Sequence, residues 1–342
     1  MGIAYLGVDI AKNVFEFCGL SRSGHVKMRK RVTRAKVLAV VAQLEPCRIG
    51  LEACTGAYYW HSQFSALGHD VRIISPQFVK PFVKGQKNDG NDAEAIAVAL
   101  QQPTMRFVPP RSIEQQDIQA LHRARQRLVN HRTATISQMR GLLLERGITI
   151  GVSISRARRA IPEILEDGEN GLSIRIRSAV HELFELVRYL DARIAFFDKE
   201  IEQVFRHSEI CQRIAQIPGV GPKTATAIVA AAGDGSEFRN GRHFAAWLGL
   251  VPRQNSSGDR RILMGITKRG DRHLRTLLVH GARAVVRVSK RKTDRMSTWV
   301  NSLHERRGHN KAIVAVANKN ARIIWKLLRD KATFQPDLAT SP

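Results

Sequence analysis

The sequence is short of acid, of paired cysteine and of any long apolar run, and each shortage removes a class of function. Its 342 residues carry 30 Asp+Glu against 55 Lys+Arg, a formal net charge of +25. Such a field attracts polyanions, either nucleic acid or an anionic membrane. The membrane alternative fails on length, because the most apolar stretches, such as Ala225 to Ala232, fall far short of the roughly 20 residues that a spanning helix requires. The N-terminus reads Met-Gly-Ile-Ala-Tyr-Leu-Gly-Val-Asp and lacks the basic region, apolar core and small-residue cleavage site of a signal peptide. The four cysteines, Cys18, Cys47, Cys54 and Cys211, form no C-x-x-C pair. That argues against structural zinc and for reduced, mostly buried thiols in a cytoplasm. A P-loop is excluded too, since G-x-x-x-x-G-K-[ST] does not occur.

What is present is enough apolar residue, 43%, to build real cores, in a chain long enough for two or three domains. The positive charge is uneven. From Arg239 to Asp330 there are 22 Lys+Arg and 5 Asp+Glu, so this stretch holds most of the excess and is the region expected to grip phosphates.

Residues 1 to about 110 read as α/β. Tyr5 to Ile10 is a buried-type strand, Phe15 to Leu20 follows it, and His25 to Val32 completes a meander after the Ser21 to Gly24 turn. Val37 to Leu44 has helical spacing. Arg48 to Glu52 is a short strand, Tyr58 to Leu67 a helix, Val71 to Ile74 a strand stopped by Ser75-Pro76, and Asp92 to Leu100 a helix with Asn91 or Asp89 as its cap. Three early strands followed by alternating helices and strands predict a ribonuclease-H-like mixed sheet. Residues 111–209 differ in kind. Ile113 to Arg146 reads as one long helix. In Ile176 to Val204, the positions Ile176, Val180, Leu183, Val187, Leu190, Ile194, Phe197, Ile201 and Val204 repeat by fours and threes, an a/d seam of coiled-coil type. The stretch Gly147 to Gly171 would join the two as a long antiparallel pair, with the seam closed either within the chain or against another subunit. Residues 210–330 are expected to form a small, mostly α-helical domain with a helix-hairpin-helix, and 331–342 a tail.

Asp9 and Glu52 each end an apolar strand, where a charge is costly unless something requires it. Asp89 and Asp92 add two acids at i and i+3, on one face if a helix begins there. Singly, each could cap an element at the surface. Together, in so basic a chain, they point to a site for Mg²⁺ or Mn²⁺. Four carboxylates could hold two ions about 4 Å apart and clamp the attacking and leaving oxygens of a phosphodiester.

Two further motifs lie in the basic third. Ile217-Pro218-Gly219-Val220-Gly221-Pro222-Lys223-Thr224-Ala225 resembles the hairpin of a helix-hairpin-helix. Gly219 and Gly221 would let backbone N–H groups approach a phosphate, with Lys223 and Thr224 opening the following helix. The alternative is a tight turn between packed helices without DNA contact. The second motif runs from Trp247 through Arg253 and Ser256-Ser257-Gly258 to Lys268, Arg269 and Arg272. A serine among cations could be a phosphoryl-transfer nucleophile. Locally, a polar Ser-Ser-Gly turn is the stronger account, and no general base stands nearby.

The runs Gly-Val-Asp9-Ile-Ala-Lys, Leu-Glu52-Ala-Cys-Thr-Gly and Lys-Asn-Asp89-Gly-Asn-Asp92-Ala-Glu-Ala resemble the DEDD transposases of insertion-sequence group one hundred and ten. So do Ile-Pro-Gly-Val-Gly-Pro-Lys-Thr, Gly-Leu-Val-Pro, Ser-Ser257-Gly and Ile-Thr-Lys-Arg-Gly-Asp, in order along nearly the whole chain. The resemblance implies a RuvC-like N-terminal domain, a coiled-coil linker and a helical transposase domain. It also implies a homo-oligomer reaching a tetramer, and an element-encoded bridge RNA that pairs donor and target double-stranded DNA near the bacterial nucleoid. By position, Asp9, Glu52, Asp89 and Asp92 match the family's metal acids, and Ser257 its DNA-bonding nucleophile, with Ser256 the nearest competitor. Arg253, Lys268, Arg269 and Arg272 are the expected phosphate contacts. Asp259, where a neutral residue is expected, is a small departure. Because Ser257 lies far along the chain from the acids, a composite site built from two subunits is an expectation. The rival readings are a Holliday-junction-type nuclease that cuts with metal-activated water, and a non-catalytic nucleic-acid-binding protein.

Overall fold

A six-stranded mixed sheet organises the N-terminal unit, Met1–Arg111, one of two compact units in the computed structural model. The structure describes residues 2–85, 89–258, 260 and 262–335. Asp259, where the sequence departs from the family pattern, and most of the tail beyond residue 330 lie outside the described residues. Strands β1 (Tyr5–Asp9), β2 (Val14–Leu20) and β3 (Val26–Thr33) form the meander, followed by helix α1 (Val37–Ala42). Strand β4 (Arg48–Glu52), helix α2 (Ala57–Ala66), strand β5 (Asp70–Ile74), the short α3 (Pro76–Val79), helix α4 (Asp89–Leu100) and the two-residue β6 (Phe107–Val108) complete the unit.

The sheet order is β3-β2-β1-β4-β5-β6. Strand β2 is antiparallel to β1, while β4 and β5 are parallel to it and β6 closes the edge antiparallel. Alternation along each strand separates two buried faces. On one, Leu6, Val8, Phe15, Phe17, Ile49 and Leu51 pack with Val37, Val41, Trp60 and Phe64 from α1 and α2. The other is covered by the alanine-rich α4, whose Ala93 and Ala97 meet Cys18 and Leu20.

The second unit, Ser112–Pro342, begins at a helix signal readable in the sequence. Ser112 Oγ accepts the Gln115 N–H at 3.1 Å and the Gln115 side chain accepts the Ser112 N–H at 3.0 Å, a reciprocal capping box. It starts α5 (Ile113–Leu144), which is followed by α6 (Ile154–Glu166) and α7 (Ile174–Arg206). Arg125 bonds Asp198 at 2.6 Å and Arg132 bonds Asp191 at 2.8 Å, so partners descend α7 as they ascend α5 and the two helices are antiparallel. Every seam position from Ile176 to Val204 is buried or half-buried within this chain. Near the helical connection, Ile136, Met139 and Leu143 close over Val180 and Val187 together with Ala157 and Ile161 of α6. The linking stretch thus carries a helix of its own.

The remaining elements are α8 (Glu209–Ala215), α9 (Pro222–Ala232), α10 (Gly241–Trp247), a hairpin of β7 (Pro252–Gln254) and β8 (Leu263–Ile266), then α11 (Arg272–Ser289), α12 (Arg295–Arg307) and α13 (His309–Asp330). Their core centres on Ile214, Ile228, Phe244, Leu248, Leu278, Val300, Val316 and Ile324, and Phe334 packs back against it. Helix α9 also packs on α5 and α7, so the long helices and the C-terminal helices share one compact unit. Among the described residues, no helix is long and apolar enough to cross a membrane.

Candidate active site

Strand register places the first two acids. Strands β1 and β4 are parallel and paired up to Val8 and Leu51, so Asp9 and Glu52 emerge at the same end of adjacent strands. The other two acids arrive on α4, whose first turn contains Asp89 and Asp92. Two glycines let this helix lie close to the sheet. A Cβ on Gly7 would stand 2.1 Å from the Ala93 carbonyl oxygen, and one on Gly50 would stand 2.7 Å from the Leu100 side chain. The cost of a glycine inside a strand is offset here by that approach.

The outcome is a cluster in which carboxylate oxygens of Asp9, Asp89 and Asp92 all lie within 4.8 Å of one another. Burial pushes the Asp9 carboxyl up to about 6, helped by the charges of Asp92, Asp89 and Glu52 and opposed by the Ile10 N–H. Glu52 thus acts on the same site electrostatically from the end of β4. Converging hard oxygen donors that repel one another without a counter-ion are the donor set a divalent cation takes, and the residues present fit one. The nearby Cys54 thiol is also raised, by burial and then by Glu52 and Asp9.

The serine motif occupies the β7–β8 hairpin of the second unit. Pro252 pairs with Ile266, Gln254 with Leu263, and the Asn255 N–H reaches the Ile262 carbonyl at 3.0 Å. Beyond them, Ser257 bridges Arg260, with the Arg260 N–H on the Ser257 carbonyl at 3.2 Å. Ser256 Oγ accepts a hydrogen bond from Gln254 at 3.0 Å. The Ser257 hydroxyl, among the described residues, has no such partner and is exposed. Arg253, Lys268, Arg269 and Arg272 are all exposed. The loop carrying them is held at its base. The Thr267 N–H bonds the Val251 carbonyl at 2.8 Å, and the Arg275 guanidinium bonds the carbonyls of Leu248 and Arg269 at 3.2 and 2.9 Å. Lys268 takes φ 55°, a left-handed conformation uncommon outside glycine, with its N–H on the Gly249 carbonyl at 3.2 Å.

The hairpin between α8 and α9 is more inward than the sequence suggests. Gly219, at φ 84°, presses its backbone on Gly281 of α11, where a Cβ would come within 1.8 Å of the Gly219 carbonyl oxygen. Thr224 is buried. Lys223 forms an ion pair with Asp198 at 2.9 Å, and Asp198 also holds Arg125. Gly221, by contrast, opens α9 beside a groove of about 630 Å³ lined by Asp198, Glu202, Arg206 and Lys223. Sequence reading missed Gly7 and Gly50. Their signal is present, as small residues at matching strand positions opposite the alternating alanines of α4.

Residues 6–147 match a family model described as "Transposase", of the DEDD type, and residues 211–297 match the "Transposase IS116/IS110/IS902 family". A Pseudomonas aeruginosa protein named "Probable family 20 transposase" is 46% identical over 340 residues, covering 98% of this chain and 100% of its own. The transposase for insertion sequence element IS1111A of Coxiella burnetii is 46% identical over 97% of this chain and 92% of its own. That for IS1328 of Yersinia enterocolitica is 38% identical over 97% and 98%. Both models match in order, and relatives align along nearly the full length. This chain therefore belongs to the IS110 family of DNA transposases, with a RuvC-like DEDD domain of ribonuclease-H-like α/β fold followed by the family's C-terminal domain.

Proposed function

We propose that this transposase exchanges DNA strands through a covalent phosphoserine–DNA intermediate, with Ser257 as nucleophile and Asp9, Glu52, Asp89 and Asp92 holding Mg²⁺ or Mn²⁺, two ions in the full site. The observation that carries this reading is the convergence of Asp9, Asp89 and Asp92 to within 4.8 Å, with the Asp9 carboxyl raised to about 6. When bound, the metal supplies Lewis-acid stabilisation of charge on the phosphodiester oxygens.

The Ser257 oxygen forms a bond to phosphorus while the bond to the 3′-oxygen breaks. The serine loses its proton, and the leaving 3′-oxygen takes one up as a hydroxyl. On the exchanged strand a 3′-hydroxyl attacks the phosphoserine, which restores the diester and returns the serine hydroxyl. Arg253, Lys268, Arg269 and Arg272 contact phosphates and stabilise charge during transfer. The exposed Ser257 hydroxyl, without a partner among the described residues, supports its choice over Ser256, whose oxygen is engaged by Gln254. Gly221 and Lys223 at the start of α9, with Gly219 setting the turn, form a second phosphate contact. Lys223 exchanges Asp198 for DNA there. Donor and target duplexes are selected by pairing with an element-encoded bridge RNA, and the working particle is a homo-oligomer.

Denaturing gels of Ser257→Ala with paired DNA and Mg²⁺ test this reading. Binding should persist and the protein–DNA adduct should vanish. An adduct that survives in Ser257→Ala overturns the serine assignment. Cutting with 5′-phosphate release and no adduct in the parent protein establishes hydrolysis by water instead. RNA that copurifies from cells carrying the whole element, and is required for strand exchange, is the corresponding test of guidance.

A further inference from the structure

Helix α11 differs in kind from α7, another long exposed surface of the same unit. Between Arg272 and Lys292 the sequence contains no Asp or Glu. Arg272, Thr276, His280, Arg283, Arg287 and Arg291 are all exposed. They recur at spacings of four and three, and so fall on one side of the helix and its following turn. The opposite side, through Leu274, Leu278, Ala282, Val285 and Val286, is buried in the core. On α7, exposed cations are balanced by acids of the same helix, as in Arg188 with Glu185 and Arg206 with Glu202. Among the described residues, the cations of the α11 stripe have no acidic partner. Arginines one turn apart with nothing between them oppose helix formation, so a solvated surface gains nothing from this arrangement. A polyanion would reverse its sign.

We propose that the outer face of α11 is a docking surface for the phosphate backbone of duplex DNA, with Arg283 and Arg287 as its central contacts. The stripe runs about 22 Å from Arg272 to Arg287 at a helical rise of about 1.5 Å per residue, on a straight element fixed from behind by the core. A duplex presents an equally rigid line of phosphates, being stiff over about 150 base pairs. The family's activity is on DNA, and the stripe begins where the Lys268–Arg269 loop ends. Duplex DNA is therefore the occupant the charge pattern favours. The proposal does not depend on Ser257 and stands or falls separately from it.

The experiment is fluorescence anisotropy of the full-length protein with a labelled duplex of random sequence, across a salt series. The variants are Arg283→Gln/Arg287→Gln and a control, Arg188→Gln/Arg193→Gln, which removes the same charge from α7. The α11 pair should lower affinity on the order of tenfold at low salt and reduce the slope of log affinity against log salt by about two. The α7 pair should leave both near the parent values, and circular dichroism should show the same helix content in all three proteins. Unchanged affinity and slope in the α11 variant overturn the proposal. So does an equal loss in the α7 control, which would make the effect one of net charge. Loss of binding to structured RNA with duplex binding intact overturns the choice of occupant. A change confined to oligomer size assigns the face to protein contact instead.

Discussion

Gly7 of β1 and Ala93 of α4 are in backbone contact, so close that a Cβ on Gly7 would lie 2.1 Å from the Ala93 carbonyl oxygen. That contact sets the height of α4 above the sheet, and with it the distance from Asp9 to Asp89 and Asp92. Gly7→Ala should therefore destabilise the N-terminal unit by about 1–3 kcal/mol, the usual cost of overpacking, and weaken divalent-metal binding as well. Gly50→Ala should cost less, because its new methyl would meet side-chain carbons of Leu100 and Ile96, which can move. Urea denaturation with a Mn²⁺ titration of each variant checks both. Equal effects of the two substitutions would remove the backbone contact as the cause.

Removing one charge from the acidic cluster should separate stability from function. Asp9→Asn relieves repulsion among Asp9, Asp92, Asp89 and Glu52, so the metal-free protein should melt higher than the parent. The parent should gain about 2.7 kcal/mol at a metal concentration of 100 Kd, and the variant should gain much less while losing strand cleavage. Thermal melts with and without Mg²⁺ measure this. A variant that melts lower without metal would contradict the repulsion.

Asp9 and His122 should contribute oppositely to the pH dependence of stability. In the N-terminal unit, Asp9 is raised from 3.8 to about 6. The folded state thus holds a proton that the unfolded state has lost, and metal-free stability falls as pH rises from about 4 to 6. In the second unit, His122 is buried against Thr226, bonded at 3.0 Å, and lowered to about 4 by burial and then by His273, Arg125 and Lys223. There the unfolded state binds the proton first. Stability is lost as pH falls from about 6.5 to 4, by about 3 kcal/mol at about 1.4 kcal/mol per unit. Site-resolved hydrogen exchange across this range should show the divergence. His122→Gln should flatten the response of the second unit alone.

The seam of α7 is closed inside one chain, so its substitutions should register as stability. Leu190, 2% exposed, should cost about 2–5 kcal/mol as Leu190→Ala. Native mass and denaturation midpoint, measured together, decide the point. A change of oligomer size at unaltered stability would mean that the seam closes between subunits.

The elements that were legible owe it to periodicity. The meander, β4, β5, α4, α5 and α7 lie close to their expected places because strand alternation and heptad spacing are local patterns that a buried face imposes on sequence. Helix α6 was hidden within the connection Gly147 to Gly171 by its arginines and Pro162. Strand β6 was hidden because two residues carry no pattern. The hairpin at Gly219 was readable as a turn, but whether its glycine faces ligand or protein depends on Gly281, 62 residues away in a helix with no local sign of that contact.

By itself, the sequence determined the charge balance, the order of elements and the residue types at strand ends, because these follow from composition and short-range spacing. It marked Asp9 and Glu52 as acids placed where acids are costly, and Asp89 and Asp92 as a pair sharing one helix face. Only the tertiary structure brought Asp9 together with Asp89 and Asp92, since α4 can reach the sheet only where Gly7 and Gly50 leave room. It also decided which side of α11 is buried. Burial of one face is what leaves Arg283 and Arg287 aligned on the other, with no acidic partner among the described residues.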